Sequence, residues 1–216
     1  MSSSGPLRAE LAALYRGTTL PGWYVRLKFC ILHLEEYAAA VPTTGKILDV
    51  GCGYGFLANY LSLESPGRQV VGHDVAPGRI AVAQATVQGR ANIQFILADV
   101  RGLPERSFDA VVVMDTLHHV PYAEQAPILA DLYAKLKPGG VLLMRETDKK
   151  FAVRYLLFHV LLETLLYIGQ EKKRFRSAGD WTQMLTSIGY RVREIRPNRP
   201  WSPYLTALFV CTKPGA

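Results

Sequence analysis

The stretch Lys46-Ile-Leu-Asp-Val-Gly-Cys-Gly-Tyr-Gly-Phe56 constrains this chain more than any other. It reads as a buried strand, with Ile47, Leu48 and Val50 as its apolar residues, running into a glycine-rich turn and then a helix starting near Phe56. Glycines at 51, 53 and 55 let the backbone bend sharply and approach a ligand with no Cβ in the way. The helix that follows aims its first N–H groups at whatever occupies the turn, as in a nucleotide-type site. A dinucleotide fingerprint needs G-x-G-x-x-G, whose third glycine would fall at Phe56. The pattern here is instead Asp-x-Gly-x-Gly-x-Gly.

Around this turn the chain alternates strand and helix. Strand 46–50 leads to a helix at 56–64. Gln69–Asp74 leads to a helix over Pro77–Gln88, and Ile93–Leu97 ends at Ala98-Asp99. Phe108–Met114 is a continuous β-branched run, the mark of a strand covered on both faces. A helix at Ala123–Leu136 and the turn Lys137-Pro-Gly-Gly140 precede a fifth strand, Val141–Arg145. Such alternation specifies an α/β fold, a Rossmann-like parallel sheet with right-handed crossovers and helices on both faces. Later, Ala178–Ile188 reads as a helix closed by Gly189. The strands Tyr190–Ile195 and Leu205–Cys211 follow, joined by a loop too short for a crossover helix, so they should form an antiparallel hairpin. Before the turn, residues 1–10 are expected to fray. Helices are expected at Ala9–Arg16 and about Trp23–Ala40, separated by Gly-Thr-Thr-Leu-Pro-Gly.

With 216 residues and 49% hydrophobic content, residues 1–216 suit a single domain with a sizeable core. Cys30, Cys52 and Cys211 are scattered, odd in number and lack metal-ligand spacing, so they are expected as free thiols in the cytoplasm. Met1-Ser-Ser-Ser-Gly-Pro lacks the basic start and apolar run of a secretory leader. The net charge of +7 resides in the last third: residues 149–216 carry twelve Lys/Arg against four Asp/Glu. A basic face of this kind serves acidic lipid, nucleic acid, an anionic substrate or solvent alone.

A site at the carboxyl ends of successive strands calls for acceptors there. Asp49 stands two residues before Gly51, Asp74 ends the second strand and Asp99 ends the third. With the Asp-x-Gly-x-Gly-x-Gly turn, this constellation resembles motif I and the following strand ends of the class I S-adenosylmethionine (SAM) methyltransferases. The resemblance covers about residues 45–148 by motif and 178–213 by layout, and implies the seven-stranded fold of that family. It also implies that SAM is the cofactor, held by Asp49, Gly51, Cys52, Gly53, Gly55, Asp74, Val75, Asp99, Val100, Met114 and Asp115. In that family Asp49 would orient the turn and the methionine ammonium, Asp74 would accept from the ribose hydroxyls, and Asp99 from the adenine amino group. Val75, Val100 and Met114 would flank the adenine and sulfonium, and Cys52 is a small filler rather than a nucleophile. The N-terminal helices of residues 1–44 would cap cofactor and substrate, or else pack on the sheet edge.

Met114-Asp-Thr-Leu-His-His-Val-Pro121 leaves the fourth strand on the side of the methyl group. His118 or His119 would serve as general base for an acidic O–H or N–H, since histidine titrates near neutrality, or one of them merely packs the turn. The stretch also aligns with the Glu-Val-Leu-Glu-His metal motif of ubiquinone-pathway O-methyltransferases. There Asp115, His118 and His119 stand at the ligand positions, and the change from two glutamates weakens a hard-metal reading.

Residues 149–177 fall where the family builds its substrate lid. Residues 151–169 are apolar apart from Arg154, His159 and Glu163 and a few polar residues, too short and too ionisable for a membrane span, and a basic run with Lys172, Lys173, Arg174 and Arg176 follows. Such a segment is a lid over a greasy pocket, an interfacial helix touching a membrane surface through 151–176, a dimer face, or core. The expected acceptor is small and hydrophobic or lipid-like. A nucleic-acid methyltransferase using the basic tail, and a SAM-binding protein without turnover, are the alternatives. Against the first, no Asn-Pro-Pro-Tyr or Asp-Pro-Pro-Tyr tetrapeptide follows the fourth strand.

Overall fold

In a computed structural model the protein is described over residues 4–32, 34–149, 173–197 and 206–215. The segment 151–169 and Lys172 lie outside these residues. Seven strands form one sheet: β1 (Gly45–Val50), β2 (Arg68–Asp74), β3 (Ile93–Leu97), β4 (Phe108–Met114), β5 (Leu136–Thr147), β6 (Arg191–Pro197) and β7 (Thr206–Thr212). Their order is β3-β2-β1-β4-β5-β7-β6. The first five are parallel, and β7 runs antiparallel to both β5 and β6. The parallel core with an antiparallel end is the sheet that the alternation and the short final loop predict.

The helices are α1 (Ser4–Leu14), α2 (Gly22–Leu32), α3 (Leu34–Ala38), α4 (Phe56–Glu64), α5 (Pro77–Ala85), α6 (Tyr122–Lys135) and α7 (Ala178–Ile188). Helix α1 starts at Ser4, inside the stretch expected to fray. It is retained there because Leu11 and Leu14 join the core and Arg8 pairs with Glu35. The long helix expected over 23–40 is resolved as α2 and α3. The fifth strand starts before and ends after the Val141–Arg145 prediction, because Leu136 already pairs with Phe108 of β4 and pairing with β7 continues to Thr147.

The sheet is covered on both faces, which is why β1 and β4 are apolar on alternate and intervening positions alike. One face packs Ile47, Val70, Ala110 and Val112 against α1–α5; the other packs Leu48, Val71, Val111 and Val113 against α6 and α7. Trp181 and Leu185 of α7 are wholly enclosed, and a Ser177/Asp180 capping box sets where that helix begins. Among the described residues the three cysteines are unpaired, and no helix is long and apolar enough to cross a membrane.

Candidate functional site

The carboxyl ends of β1, β2, β3 and β4 meet at one edge, where a crossing of strand order opens between β1 and β4. Gly51 and Gly53 have φ of 68° and 55°, the left-handed region that suits glycine. A Cβ on Gly51 would strike Thr116 at 2.4 Å, so the turn after β1 seats directly on the turn after β4. A Cβ on Gly53 would meet nothing within 4 Å. The backbone there faces open space. Cys52 anchors the turn by donating its N–H to the His73 carbonyl at 2.9 Å. Burial, then the Asp49 and Asp74 charges, push its thiol far above the usual range, which suits a filler.

Asp49 is 2% exposed, and its Oδ2 has no hydrogen-bond partner among the described residues. Burial pushes its carboxyl up to about 7; the Ala58 backbone N–H opposes the shift and the Asp74 charge adds to it. A buried carboxylate oxygen with nothing to accept from is expensive, and an ammonium group resolves it. Asp74 accepts from Gly53 N–H at 2.9 Å and from Ala76 N–H at 2.8 Å, tying the glycine turn to the start of α5. Each of its oxygens keeps a second lone pair. Val75, the next residue, is 73% exposed, and Leu97 at the end of β3 is also open; both are large apolar side chains at the strand ends. Val100 is different: it is buried, in the same core cluster as Val50 and Val71. Asp99 is exposed, forks onto Arg101 at 2.6–3.0 Å and accepts that residue's backbone N–H. The Arg101 hydrogen bonds hold its carboxyl at about 2.

The turn after β4 is assembled from distant residues. Asp115 takes φ 49°, a conformation Asp tolerates, and its carboxylate grips Arg145 of β5 at 2.6 and 3.2 Å. Arg145 is buried and also donates to the Tyr37 hydroxyl of α3 at 2.6 Å. Burial works against its charge, but Asp115 and Tyr37 outweigh it and hold the pKa above the ordinary value. On the opposite face of β5, Glu146 is 1% exposed. Its Oε1 accepts from the N–H groups of Thr116 and Leu117, at 3.0 and 2.6 Å, and its Oε2 meets His118 Nδ1 at 2.8 Å. His118 is itself 1% exposed, sandwiched between His119 and Phe175, so its ring is closed to an acceptor in this conformation. His119 is half-buried, with Lys173 Nζ 3.3 Å from its Nδ1.

The turn thus separates Asp115 from the two histidines of the metal alignment: Asp115 faces Arg145, whereas His118 faces Glu146 with the His119 ring against it. Besides Lys173, two more members of the basic run are part of the same construction. Arg174 donates its N–H to the His118 carbonyl at 2.7 Å, and Arg176 reaches Gln125 Oε1 at 2.6 Å and stacks on Tyr122. Over the other side of the glycine turn, Tyr15 of the 1–44 segment donates to the Tyr54 carbonyl at 3.0 Å, and Tyr15, Tyr24 and Phe29 pack their rings around Phe56. Glu146, Arg145, Tyr37 and Leu97 carry no motif. The nearest signal was a charged pair, Arg145-Glu146, at the site-facing end of an apolar strand.

The protein-family model described as a methyltransferase domain matches residues 47–140. A demethylmenaquinone methyltransferase of Thermus thermophilus is 36% identical over 104 residues, covering 47% of this chain and 46% of the relative. A ubiquinone biosynthesis O-methyltransferase of Chromobacterium violaceum is 33% identical over 163 residues, 67% of this chain and 68% of the relative. The chain spans about half the length of several of the relatives it matches. Among solved structures, magnesium protoporphyrin IX methyltransferase from Synechocystis PCC 6803 with bound SAH superimposes at a TM-score of 0.68. It is 17% identical, with 98% of this chain and 94% of that chain covered, a likeness of fold. By its motif, its fold and these relatives, the chain belongs to the class I SAM-dependent methyltransferases, in the group that includes the ubiquinone and menaquinone biosynthesis methyltransferases.

Proposed function

We propose that this chain transfers the methyl group of SAM to a small, hydrophobic or lipid-like acceptor. The observation that carries the reading is Asp49, a buried carboxylate at the base of the glycine turn whose Oδ2 has no partner among the described residues. The residues present fit the cofactor. Asp49 would hold the ammonium, the spare lone pairs of Asp74 the ribose hydroxyls, and Val75 and Leu97 would cover the adenine. Asp99 would take the adenine amino group by letting go of an exposed Arg101. Bound there, SAM supplies an electrophilic methyl on a sulfonium, so the protein's main tasks are positioning and dealing with the acceptor proton.

On the acceptor side His119 is the candidate base, because its ring is half-buried whereas that of His118 is enclosed. The acceptor class rests on the relatives, whose names are those of demethylmenaquinone and ubiquinone-pathway methyltransferases. The basic surplus of the last third fits an acceptor with an anionic end, or contact with an anionic membrane surface, at a cytoplasmic location. The test is methyl-labelled SAM with demethylated quinols, phenols, hydrophobic acids and lipids, extracted into organic solvent. Label in the organic phase, lost in Gly53→Arg, is expected. SAM binding by calorimetry with no label transferred to any of these would sink the reading in favour of a binding protein.

A further inference from the structure

We propose that Glu146 is the positioning residue of the acceptor-side turn: it fixes the tautomer of His118 and, through it, the placement of His119. The proposal deepens the methyl-transfer reading and rests on it for the role of His119.

Three donors converge on one enclosed carboxylate. Oε1 takes the two backbone N–H groups of Thr116 and Leu117, and Oε2 takes the His118 ring. These two N–H groups belong to the bend where β4 ends, and that bend is what the glycine turn rests on, since Thr116 fills the place of a Gly51 side chain. Glu146 therefore holds the bend against the cofactor turn from beneath. A carboxylate only accepts hydrogen bonds, so His118 must carry its proton on Nδ1. That choice leaves the ring fixed in tautomer and orientation. The His118 and His119 rings lie 4.4 Å apart between centroids, with 34° between their planes. Lys173 Nζ lies 3.3 Å from Nδ1 and 3.5 Å from Nε2 of His119, against the ring between its two nitrogens. An ammonium only donates, so it meets this ring best where a nitrogen offers a lone pair. Carboxylate, buried imidazole and half-exposed imidazole follow one another as base and orienting group do in acyl-transfer sites, where a third group acting only through the second governs its tautomer.

The substitution that isolates this role is Glu146→Gln. Two backbone donors face the Oε1 position, so the amide oxygen must stay there and the amide NH2 must face His118. Nδ1 then becomes an acceptor and the proton moves to Nε2. The bend is kept and the tautomer is reversed. In protein with 15N-labelled histidine, long-range 1H–15N correlation spectra should show His118 as the Nδ1–H form in the wild type and the Nε2–H form in Glu146→Gln. His118→Asn supplies the assignment. SAM affinity by calorimetry should stay within about twofold. With a short-chain demethylmenaquinol as acceptor, kcat should fall about 10- to 100-fold with KM little changed. An unchanged tautomer in a folded Glu146→Gln protein overturns the proposal. So does a reversed tautomer with undiminished kcat, which would leave Glu146 a structural brace alone. If Glu146→Gln fails to fold, the wild-type spectrum decides, because an Nε2–H form there contradicts the geometry. A wild-type protein that methylates no acceptor removes the methyl-transfer reading, while the tautomer result still supports or overturns the assignment of Glu146.

Discussion

At the glycine turn, the groups proposed to face the cofactor come from short pieces of chain: Asp49, Gly51 and Gly53 from one loop, Asp74, Ala76 and Val75 from the next. Their main tie is the hydrogen bond from Gly53 N–H to Asp74, 21 residues apart. At the turn after β4, the corresponding ties span 28 to 30 residues for Glu146 and 108 for Arg145 to Tyr37. Among the described residues, the first region leaves a carboxylate oxygen without a partner and an apolar side chain in solvent. The second gives Glu146 three donors and gives Arg145 two partners, the half-buried Asp115 and the buried Tyr37. One region is unfinished until a ligand arrives, and the other is a finished internal network. This difference says where substitutions should be felt: as lost affinity in the first and as lost stability or turnover in the second.

The largest expected effect is Gly53→Arg. The side chain would fill the space the backbone faces, and SAM affinity should fall by more than about 100-fold, or roughly 3 kcal/mol. Since nothing among the described residues lies within 4 Å of that Cβ, the fold should survive at a cost of about 1–2 kcal/mol for a left-handed non-glycine residue. A thermal scan beside calorimetry separates the two, and a variant that unfolds without binding loss would erase the contrast between the regions.

Next comes the pH dependence carried by Asp49. Its pKa is raised from 3.8 to about 7, so the folded chain holds the proton more tightly than the unfolded chain. The stability this group confers is greatest below the unfolded value, declines as the pH rises between those two values, and is gone above about 7. SAM binding requires the ionised form to meet the ammonium. The dissociation constant should therefore weaken about fivefold from pH 7 to 6 and about tenfold over the next unit. Asp49→Asn should bind weakly with no such slope, and should melt above the wild type at pH 8 in the absence of SAM. A parallel slope in both proteins would take Asp49 out of the ammonium site.

These two effects fall on residues that the sequence already displayed, and the reason is physical. A ligand that approaches the backbone demands glycine, and acceptors at successive strand ends are spaced by the strands themselves, so both requirements leave a local trace. The sheet was legible for the same reason, since β-branched runs and a short final loop dictate parallel and antiparallel pairing. The acceptor side left no such trace. Glu146 follows an apolar strand and could equally be a solvated end. Only the register of β5 beside β4 brings it beneath Thr116 and Leu117. Likewise His118 and His119 look equivalent in sequence, yet the helical turn they share puts one ring inside and the other at the edge. Val100 is expected beside the adenine, and the 3-10 turn it begins also makes it a member of the core, a second role that the sequence does not display.

On the finished side, Tyr37→Phe should lower stability by about 1–3 kcal/mol, because a buried guanidinium N–H of Arg145 loses its acceptor. SAM affinity should not move, since Arg145 faces Asp115 and Tyr37 rather than the glycine turn. Denaturant unfolding with calorimetry checks both halves. Equal stability with weaker binding would mean that the N-terminal helices act on the cofactor through this contact.

The smallest effect should come from Val75→Ala, and it tests the comparison most finely. Val75 is 73% exposed, so shortening it removes no internal contact, and stability should hold within about 0.5 kcal/mol. If the adenine covers it, the lost apolar burial is worth about 0.5–1 kcal/mol at 25 cal/mol per Å². That corresponds to a two- to fivefold weaker affinity. Val100→Ala provides the opposite case on the next strand end: its side chain is buried in the core cluster that holds Val50 and Val71, and truncation should cost about 1–2 kcal/mol of stability with little direct loss of binding. The two variants differ by the same pair of methyl groups. Measured side by side, affinity loss confined to Val75→Ala and stability loss confined to Val100→Ala place the adenine over the exposed residue. Reversal of the two would place it against the 3-10 turn at Val100, with Val75 left to solvent.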